Sequence, residues 1–189
     1  MLELARRVIP LKQLLCGGAE GASVTIDELL EQIDDKLPPA PQDQLAAFEA
    51  QLGQSLPDDY RRFLVACNGG WVGEKFLEFE GLGPDGNYVG ALLHHIGGLR
   101  QESYYSLFWH RECYQGRIPD ALVWIMDDPS GNAICLGVAG DHCGRVYFWD
   151  HENEPDDDWV GSVETAGNIE LLANSFTDFV AGVRDYEHD

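Results

Sequence analysis

The stretch Ala121–Asp150, ALVWIMDDPSGNAICLGVAGDHCGRVYFWD, decides the fold of this chain. It contains three short apolar runs, which cover Ala121–Met126, Ala133–Val138 and Arg145–Asp150. Such runs are typical of buried strands, and the Asp, Pro, Gly and Asn residues between them favour tight turns. Connections this short join antiparallel neighbours, because parallel strands need a long crossover. The stretch therefore predicts a three-stranded antiparallel meander.

Helical patterns flank this meander on both sides. Before it, Pro57 and the two aspartates that follow are typical of a helix start. The apolar residues of that helix recur at i, i+3, i+4 and i+7 and form one face: Tyr60, Phe63, Leu64 and Cys67. After the meander, Ser175 and Asp178 resemble a capping box at the start of another helix. The sequence thus predicts an α+β domain whose N-terminal and C-terminal helices pack on an antiparallel sheet.

The residues between the first of these helices and the meander give further predictions. Asn68–Gly70 should end that helix, because Asn and Gly accept a left-handed C-cap. We predict strands over Phe76–Glu80 and Tyr88–Leu93 and a helix over Arg100–Tyr114. Three residues of that last helix should face inward: Tyr104, Leu107 and Phe108.

Residues 1–40 have the pattern of an N-terminal helical appendage. Thr25 is a predicted N-cap within it, and Leu37–Pro41 reads as a stiff proline-rich linker. The predicted boundary therefore separates an appendage over 1–40 from an α+β domain over 41–189.

The chain is strongly acidic, with 12 Lys and Arg against 33 Asp and Glu and a formal net charge of −21. Phosphate groups would be repelled, so we expect no nucleic-acid binding, and a basic partner is favoured. No apolar run is long enough to cross a membrane, and no secretory signal is evident. Five cysteines without a disulfide spacing predict reduced thiols and a cytoplasmic location. The sequence does not indicate the oligomeric state.

The acidic residues are concentrated near the end of the chain. Six carboxylates lie within residues 150–158, with no basic residue among them. A solvated loop is one interpretation. The other is a mimic of nucleic-acid phosphates that docks on a basic protein, with Trp149 and Trp159 as aromatic anchors. On this second interpretation we predict a partner-binding site formed by Asp150, Glu152, Glu154, Asp156, Asp157, Asp158 and Trp159.

Residues that commonly bind metals occur without a recognised spacing. His142, Cys143 and His151 could supply zinc ligands, and His110 with Cys113 form a second candidate pair. These spacings are not the usual paired patterns, and we predict neither a metal nor a cofactor.

Other candidate sites are weaker still. On a strand, His94 and His95 would point to opposite faces, so at most one could be a ligand. Asp156–Asp158 lacks the alternating ligands of a calcium loop. The chain has no G-x-S-x-G sequence, and Pro84 interrupts the glycine-rich Gly81–Gly86. We therefore predict no catalytic residue and a protein that is not an enzyme.

Three blocks in this order resemble the SUKH superfamily, which includes a yeast regulator of cell-wall assembly. They are Leu45–Gly70, the segment from Ile118 to Glu152, and Ser175–Val180. Together they span roughly residues 41–185. The residues that carry the resemblance also have an architectural explanation, since they start, cap and bury helices.

The resemblance implies an immunity protein, which binds a secreted bacterial toxin and neutralises it by occlusion. Many such toxins are nucleases or deaminases, so the implied partner is a basic toxin domain. The resemblance supplies no catalytic residues. The alternatives are a regulatory scaffold that binds a cellular protein and, as a third hypothesis, an unrecognised hydrolase.

Overall fold

The computed structural model describes residues 23–79, 89–101, 104–155 and 161–185. Within these residues the strands are β1 Gly70–Phe79, β2 Val89–Ile96, β3 Leu122–Asp127, β4 Ala133–Gly137, β5 Val146–Trp149, β6 Ile169–Ala173 and β7 Arg184–Asp185. All pairings between them are antiparallel. They form one sheet in the order β6-β5-β4-β3-β2-β1-β7.

Five α-helices lie in the same described part of the chain. They are α1 Ile26–Glu31, α2 Gln42–Leu52, α3 Asp58–Ala66, α4 Leu107–Cys113 and α5 Phe176–Ala181. None of the described helices has the length and apolar character needed to cross a bilayer. The predicted α+β architecture, with helices on an antiparallel sheet, is confirmed.

The predicted meander is confirmed as β3, β4 and β5, which are consecutive antiparallel neighbours. Asp128 closes the turn between β3 and β4, because its carboxylate accepts hydrogen bonds from the amides of Ser130 and Asn132 at 2.9 and 2.8 Å. A short 3₁₀ turn over Gly140–His142 precedes β5. The turn-forming residues of the sequence thus set the register of the central strands.

Both faces of these central strands are buried, so the sheet lies between two layers. Trp124 of β3 pairs with Cys135, which in turn pairs with Tyr147, and opposed residues share a face. On this face His110 of α4 stacks on Trp124 with ring centroids 3.6 Å apart, and Tyr114 contacts Trp149 edge-on at 5.4 Å. Tyr147 and Trp149 therefore lie on one face, as the alternation of β5 predicts.

Helices α3 and α5 form an aromatic cluster between them. Phe176 of α5 lies 5.1 Å from Tyr60 and 4.9 Å from Phe63, both on α3. The starts of these two helices are also joined, since the Asp59 carboxylate accepts hydrogen bonds from the backbone N–H and hydroxyl of Thr177. The predicted apolar stripe of α3 is thus its buried face.

The end of α3 differs from the predicted left-handed cap. The residue after the helix, Cys67, is extended, and the positive φ of 97° falls on Gly69. Asn68 is buried, and its side-chain oxygen accepts a 2.6 Å hydrogen bond from the Leu99 amide. A Cβ on Gly98 would lie 2.1 Å from the Asn68 carbonyl oxygen, so glycine is required at this close approach. Asn68 therefore joins two segments instead of capping a helix.

The predicted helix over Arg100–Tyr114 is too long at its N-terminal end. Before α4, Gly98 donates to the Tyr105 carbonyl and accepts from the Leu107 amide, which keeps residues 105 and 106 out of the helix. Ser106 then caps α4 by accepting from Trp109 N. Leu107 is buried and Phe108 packs against the core as predicted, but Tyr104 is exposed. The prediction of an inward-facing Tyr104 was wrong.

The sheet extends beyond the segments that the sequence pattern indicates. β1 begins at Gly70 and β2 continues to Ile96, whereas the predicted strand residues Glu80 and Tyr88 lie outside the described residues. β6 was not predicted, because Leu172 follows Leu171 directly and breaks the apolar–polar alternation that Ile169 and Glu170 begin.

Residues 23–40 lie against the domain. Thr25 caps α1 in a capping box with Glu28, as predicted for the N-cap. Leu29 is fully buried, and Asp34 forms a β-bridge with Trp71. The part of the predicted appendage over residues 1–22 lies outside the described residues. The domain boundary at residue 40 remains a prediction.

Trp149 is completely buried in β5, and its removal should leave a large cavity. We expect Trp149→Ala to lower the free energy of unfolding by about 3–5 kcal/mol, measured by urea denaturation. Leu171→Ala is the control, because Leu171 is 49% exposed on the neighbouring strand and should cost under about 1 kcal/mol. A loss under about 1 kcal/mol for Trp149→Ala would contradict its place in the core.

Burial lowers the pKa of His110 to about 4. The unfolded chain therefore binds a proton that the folded chain excludes between about pH 6.5 and pH 4, and acidification through this range favours unfolding. We expect His110 to contribute up to about 3 kcal/mol of acid destabilisation. His110→Phe keeps an aromatic ring and does not titrate, so its stability should fall less between these pH values. If the free energy of unfolding falls by the same amount in both proteins between these pH values, His110 does not have this role.

Candidate partner-binding surface

The first residue of the predicted acidic site organises its own loop. The two oxygens of the Asp150 carboxylate accept hydrogen bonds from the Glu152 amide at 2.9 Å and from the Asn153 side chain at 2.7 Å. The Asp150 amide also donates a hydrogen bond to the Asn168 carbonyl, and the Asn168 side chain donates one to the Asp150 carbonyl. Asp150 is thus held in a turn directly after β5, while Glu152 is exposed.

Glu154 is held by a cation from a different part of the chain. Arg117 donates two hydrogen bonds of 2.7 Å to its two carboxylate oxygens. The same guanidinium lies 5.4 Å from the ring of Tyr114 and 5.3 Å from that of Trp149. Hydrogen bonding to Glu154 raises the pKa of Arg117. This bidentate ion pair fixes residues 150–155, which we call the acidic loop, next to the residues that follow α4.

The rest of the predicted site, Asp156, Asp157, Asp158 and Trp159, lies outside the described residues. Partner binding by the acidic run therefore remains a prediction. Trp149 cannot serve as the second aromatic anchor, because it is fully buried beneath Tyr114.

Two exposed aromatic side chains lie at the other end of α4. Tyr104 is 62% exposed and Trp109 is 46% exposed, with ring centroids 5.9 Å apart. The backbone at Tyr104 is held, because its carbonyl accepts a hydrogen bond from His110 Nε2 at 3.1 Å. We call Tyr104 and Trp109 the aromatic pair.

Sequence reasoning missed the aromatic pair, although one signal was available. Residues 107–110 are Leu, Phe, Trp and His, and four successive bulky residues cannot all face inward on a helix. Leu107 and His110, three residues apart, are buried, which leaves Trp109 toward solvent.

His94 and His95 lie beside a carboxylate at the end of β3. The Nδ1 atoms of His94 and His95 are 3.6 and 3.2 Å from Asp127 Oδ1, and the two imidazole centroids are 3.6 Å apart. The backbone amide of His95 donates to the same Asp127 oxygen at 2.9 Å. We call these three residues the His–Asp cluster. In the part of the chain that the structure describes, they form the group of three potential metal ligands with donor atoms within 4.8 Å of one another.

This geometry corrects the prediction that His94 and His95 point to opposite faces and that at most one of them could be a ligand. β2 pairs with β3 at Ile96 and Met126, and beyond this point the side chain of Asp127 takes the place of a backbone partner for His95. The Asp127 carboxylate at the end of β3 is therefore within reach of both imidazoles.

The histidines that the sequence offered as zinc ligands have other partners. His142 Nδ1 is 2.8 Å from the Tyr147 hydroxyl and its Nε2 is 3.1 Å from Glu164, whereas His151 Nδ1 is 2.8 Å from Asn132 Oδ1. His110 is buried in the stack on Trp124, and Cys113 is exposed. Among the described residues, neither of these candidate sets is part of a three-ligand group.

A cavity of about 260 Å³ lies beside α4 and the sheet. Its lining includes His110, Tyr114 and Trp124 together with exposed polar residues such as Gln115. Burial lowers the pKa of His110 to about 4 and raises that of Tyr114 to about 12, so both groups are neutral at physiological pH. Two buried neutral groups packed against tryptophans describe a core wall more closely than an acid–base pair.

Comparison with known proteins agrees with this architecture. The family model described as SMI1 / KNR4 family (SUKH-1) matches residues 39–182. A relative, the SPbeta prophage-derived uncharacterized protein YokK of Bacillus subtilis (strain 168), is 29% identical over 160 residues. That alignment covers 76% of this chain and 74% of the relative. Because the family match extends over more than half of the sequence, the chain belongs to the SMI1/KNR4 family (SUKH-1).

Proposed function

We propose that this protein is a cytoplasmic, non-catalytic immunity protein, which binds a basic toxin domain and neutralises it by occlusion. The observation that carries the proposal is the exposed aromatic pair, Tyr104 and Trp109, next to a helix whose other end is tied to the acidic loop. Tyr and Trp dominate the energetic centres of protein–protein interfaces.

The aromatic pair is suited to binding because its position is largely fixed before a partner arrives. Tyr104 contacts Trp109 and His110, and His110 is itself stacked on the buried Trp124. Rigid aromatic side chains bury area with little loss of conformational entropy, so more of the contact energy remains as affinity.

The acidic loop would supply the electrostatic part of the same surface. α4 is seven residues long and spans about 10 Å, so the aromatic pair and Glu154 fall within one interface of ordinary size. A chain with a net charge of −21 attracts a basic toxin over a long range, and the carboxylates of the acidic run would meet its cationic surface.

Family membership supports the proposal in coarse terms, since the resemblance implies toxin immunity. The relative from Bacillus subtilis is described as prophage-derived. A regulatory scaffold for a cellular protein is the second candidate function, because the same aromatic pair would serve it equally well. Co-expression with neighbouring open reading frames, followed by a pull-down and a toxicity assay, separates the two. Capture of a toxin whose killing is suppressed supports immunity, whereas toxicity unchanged by this protein contradicts it.

Truncation of the aromatic pair should weaken the complex without unfolding the protein. We expect Tyr104→Ala and Trp109→Ala each to raise the Kd for the captured partner by about 30-fold or more, roughly 2 kcal/mol. Calorimetry measures the affinity, and circular dichroism checks the fold. Leu171→Ala removes another exposed apolar side chain, at the β6 edge, and should leave the Kd unchanged. Equal losses for all three variants would refute a localised interface.

Neutralisation of the acidic run should slow association. We expect the triple variant Asp156→Asn, Asp157→Asn and Asp158→Asn to associate about tenfold more slowly at low salt, with less change in dissociation. The difference should vanish as ionic strength rises, because the Debye length falls to about 3 Å at 1 M. Stopped-flow mixing at several salt concentrations measures both rates.

A matched control separates local charge from net charge. Asp27→Asn, Glu31→Gln and Asp35→Asn remove the same number of negative charges, but from exposed positions on and after α1. This helix packs with α3 and α5. This control should slow association by less than about twofold. If both triple variants slow association equally, the acidic run has no local role.

A further inference from the structure

We propose that the His–Asp cluster is a binding site for a divalent transition-metal ion, with Zn²⁺ as the ion of choice. The ligands are one ring nitrogen each of His94 and His95 and a carboxylate oxygen of Asp127, all within 4.8 Å of one another. This site is separate from the proposed interface function and does not depend on it.

The spacing of the donor atoms fits a tetrahedral ion. Zinc binds imidazole nitrogen and carboxylate oxygen at about 2.0–2.2 Å, which places adjacent ligands of a tetrahedron about 3.3–3.5 Å apart. The His94 and His95 Nδ1 atoms lie 3.6 and 3.2 Å from Asp127 Oδ1, on either side of this value. The two imidazoles, whose centroids are 3.6 Å apart, would turn away from each other so that both ring nitrogens point at the ion.

The ligand types select the class of ion. Two imidazole nitrogens favour zinc, copper, nickel or iron, whereas calcium and magnesium prefer oxygen ligands throughout. Three protein ligands leave one tetrahedral position for water. The side chains of His94, His95 and Asp127 are 34, 20 and 15% exposed, so the site is open to solvent on one side.

The surroundings hold the ligands in place. The His95 amide fixes Asp127 Oδ1 with a 2.9 Å hydrogen bond, and the ring of Tyr105 lies 4.8 Å from that of His95. A bound ion would join β2 to β3 at the point where their backbone pairing ends, at Ile96 and Met126. Metal binding should therefore raise the melting temperature in a concentration-dependent way.

The competing explanation is a metal-free cluster, in which the two imidazoles only lie beside the Asp127 carboxylate. In that explanation, only His95 of the two histidines is within hydrogen-bond distance of the carboxylate, with its Nδ1 3.3 Å from Asp127 Oδ2, and no saturable metal binding is expected. The two explanations are separated by titration of the full-length protein with ZnCl₂ after dialysis against EDTA, followed by calorimetry and thermal unfolding. Thiols are removed as competing ligands by a Cys16→Ser, Cys113→Ser and Cys143→Ser background, because Cys113 and Cys143 are exposed and Cys16 lies outside the described residues.

We expect one Zn²⁺ per chain. His94→Gln, His95→Gln and Asp127→Asn should each weaken binding at least tenfold and abolish the rise in melting temperature. His151→Gln is the control, because His151 is bound to Asn132, and it should bind zinc as the parent does. Co²⁺ in place of zinc should give the intense visible absorption of a tetrahedral nitrogen–oxygen site. The proposal is overturned if zinc does not saturate the protein, or if the His94 and His95 variants, confirmed as folded, bind it as tightly as the parent.

Discussion

The stack of His110 on Trp124 is the contact on which the candidate surface depends. Its centroids are 3.6 Å apart and its rings are inclined by 17°, so α4 lies flat against the centre of the sheet. The same imidazole holds the Tyr104 carbonyl through Nε2. The buried His110 side chain thus positions α4 and orients the backbone that carries the exposed Tyr104. Its role in this fold is therefore structural, and its neutral form is the one that the stack requires.

The sheet explains why this chain combines a large apolar content with a net charge of −21. β3, β4 and β5 are buried on both faces, so their side chains provide the core for two helical layers. Many of the carboxylates lie in turns, helix starts and loops, where water or a local donor satisfies them. Asp128 and Asp150 illustrate this use, because each holds a turn through its own side-chain oxygens.

Local pattern was sufficient for the meander and for α3, because apolar runs between strong turn formers have few alternatives. It failed where a distant partner decided the outcome. Asn68 has the composition of a helix cap, but its side chain binds the amide of Leu99. Likewise, the pairing of Gly98 with residues 105 and 107 delays the start of α4 and turns Tyr104 outward.

The candidate sites divide in the same way. A run of carboxylates can be recognised from the sequence alone, so the acidic loop could be predicted. The ion pair between Glu154 and Arg117 could not be predicted in this way. His94 and His95 come together where the pairing of β2 with β3 ends. The rule that successive strand residues point to opposite faces does not predict where that pairing ends. For this reason the His–Asp cluster emerged only from the three-dimensional arrangement.

The hydrogen bonds from Thr177 to Asp59 join positions 118 residues apart, and this has a consequence for folding during synthesis. α3 leaves the ribosome long before Phe176, the ring that covers Tyr60 and Phe63. At elongation rates of about 5–20 residues per second that interval lasts roughly 6–24 s. Throughout it the apolar face of α3 lacks its final cover, so the nascent chain is a natural client for chaperones until its last helix emerges.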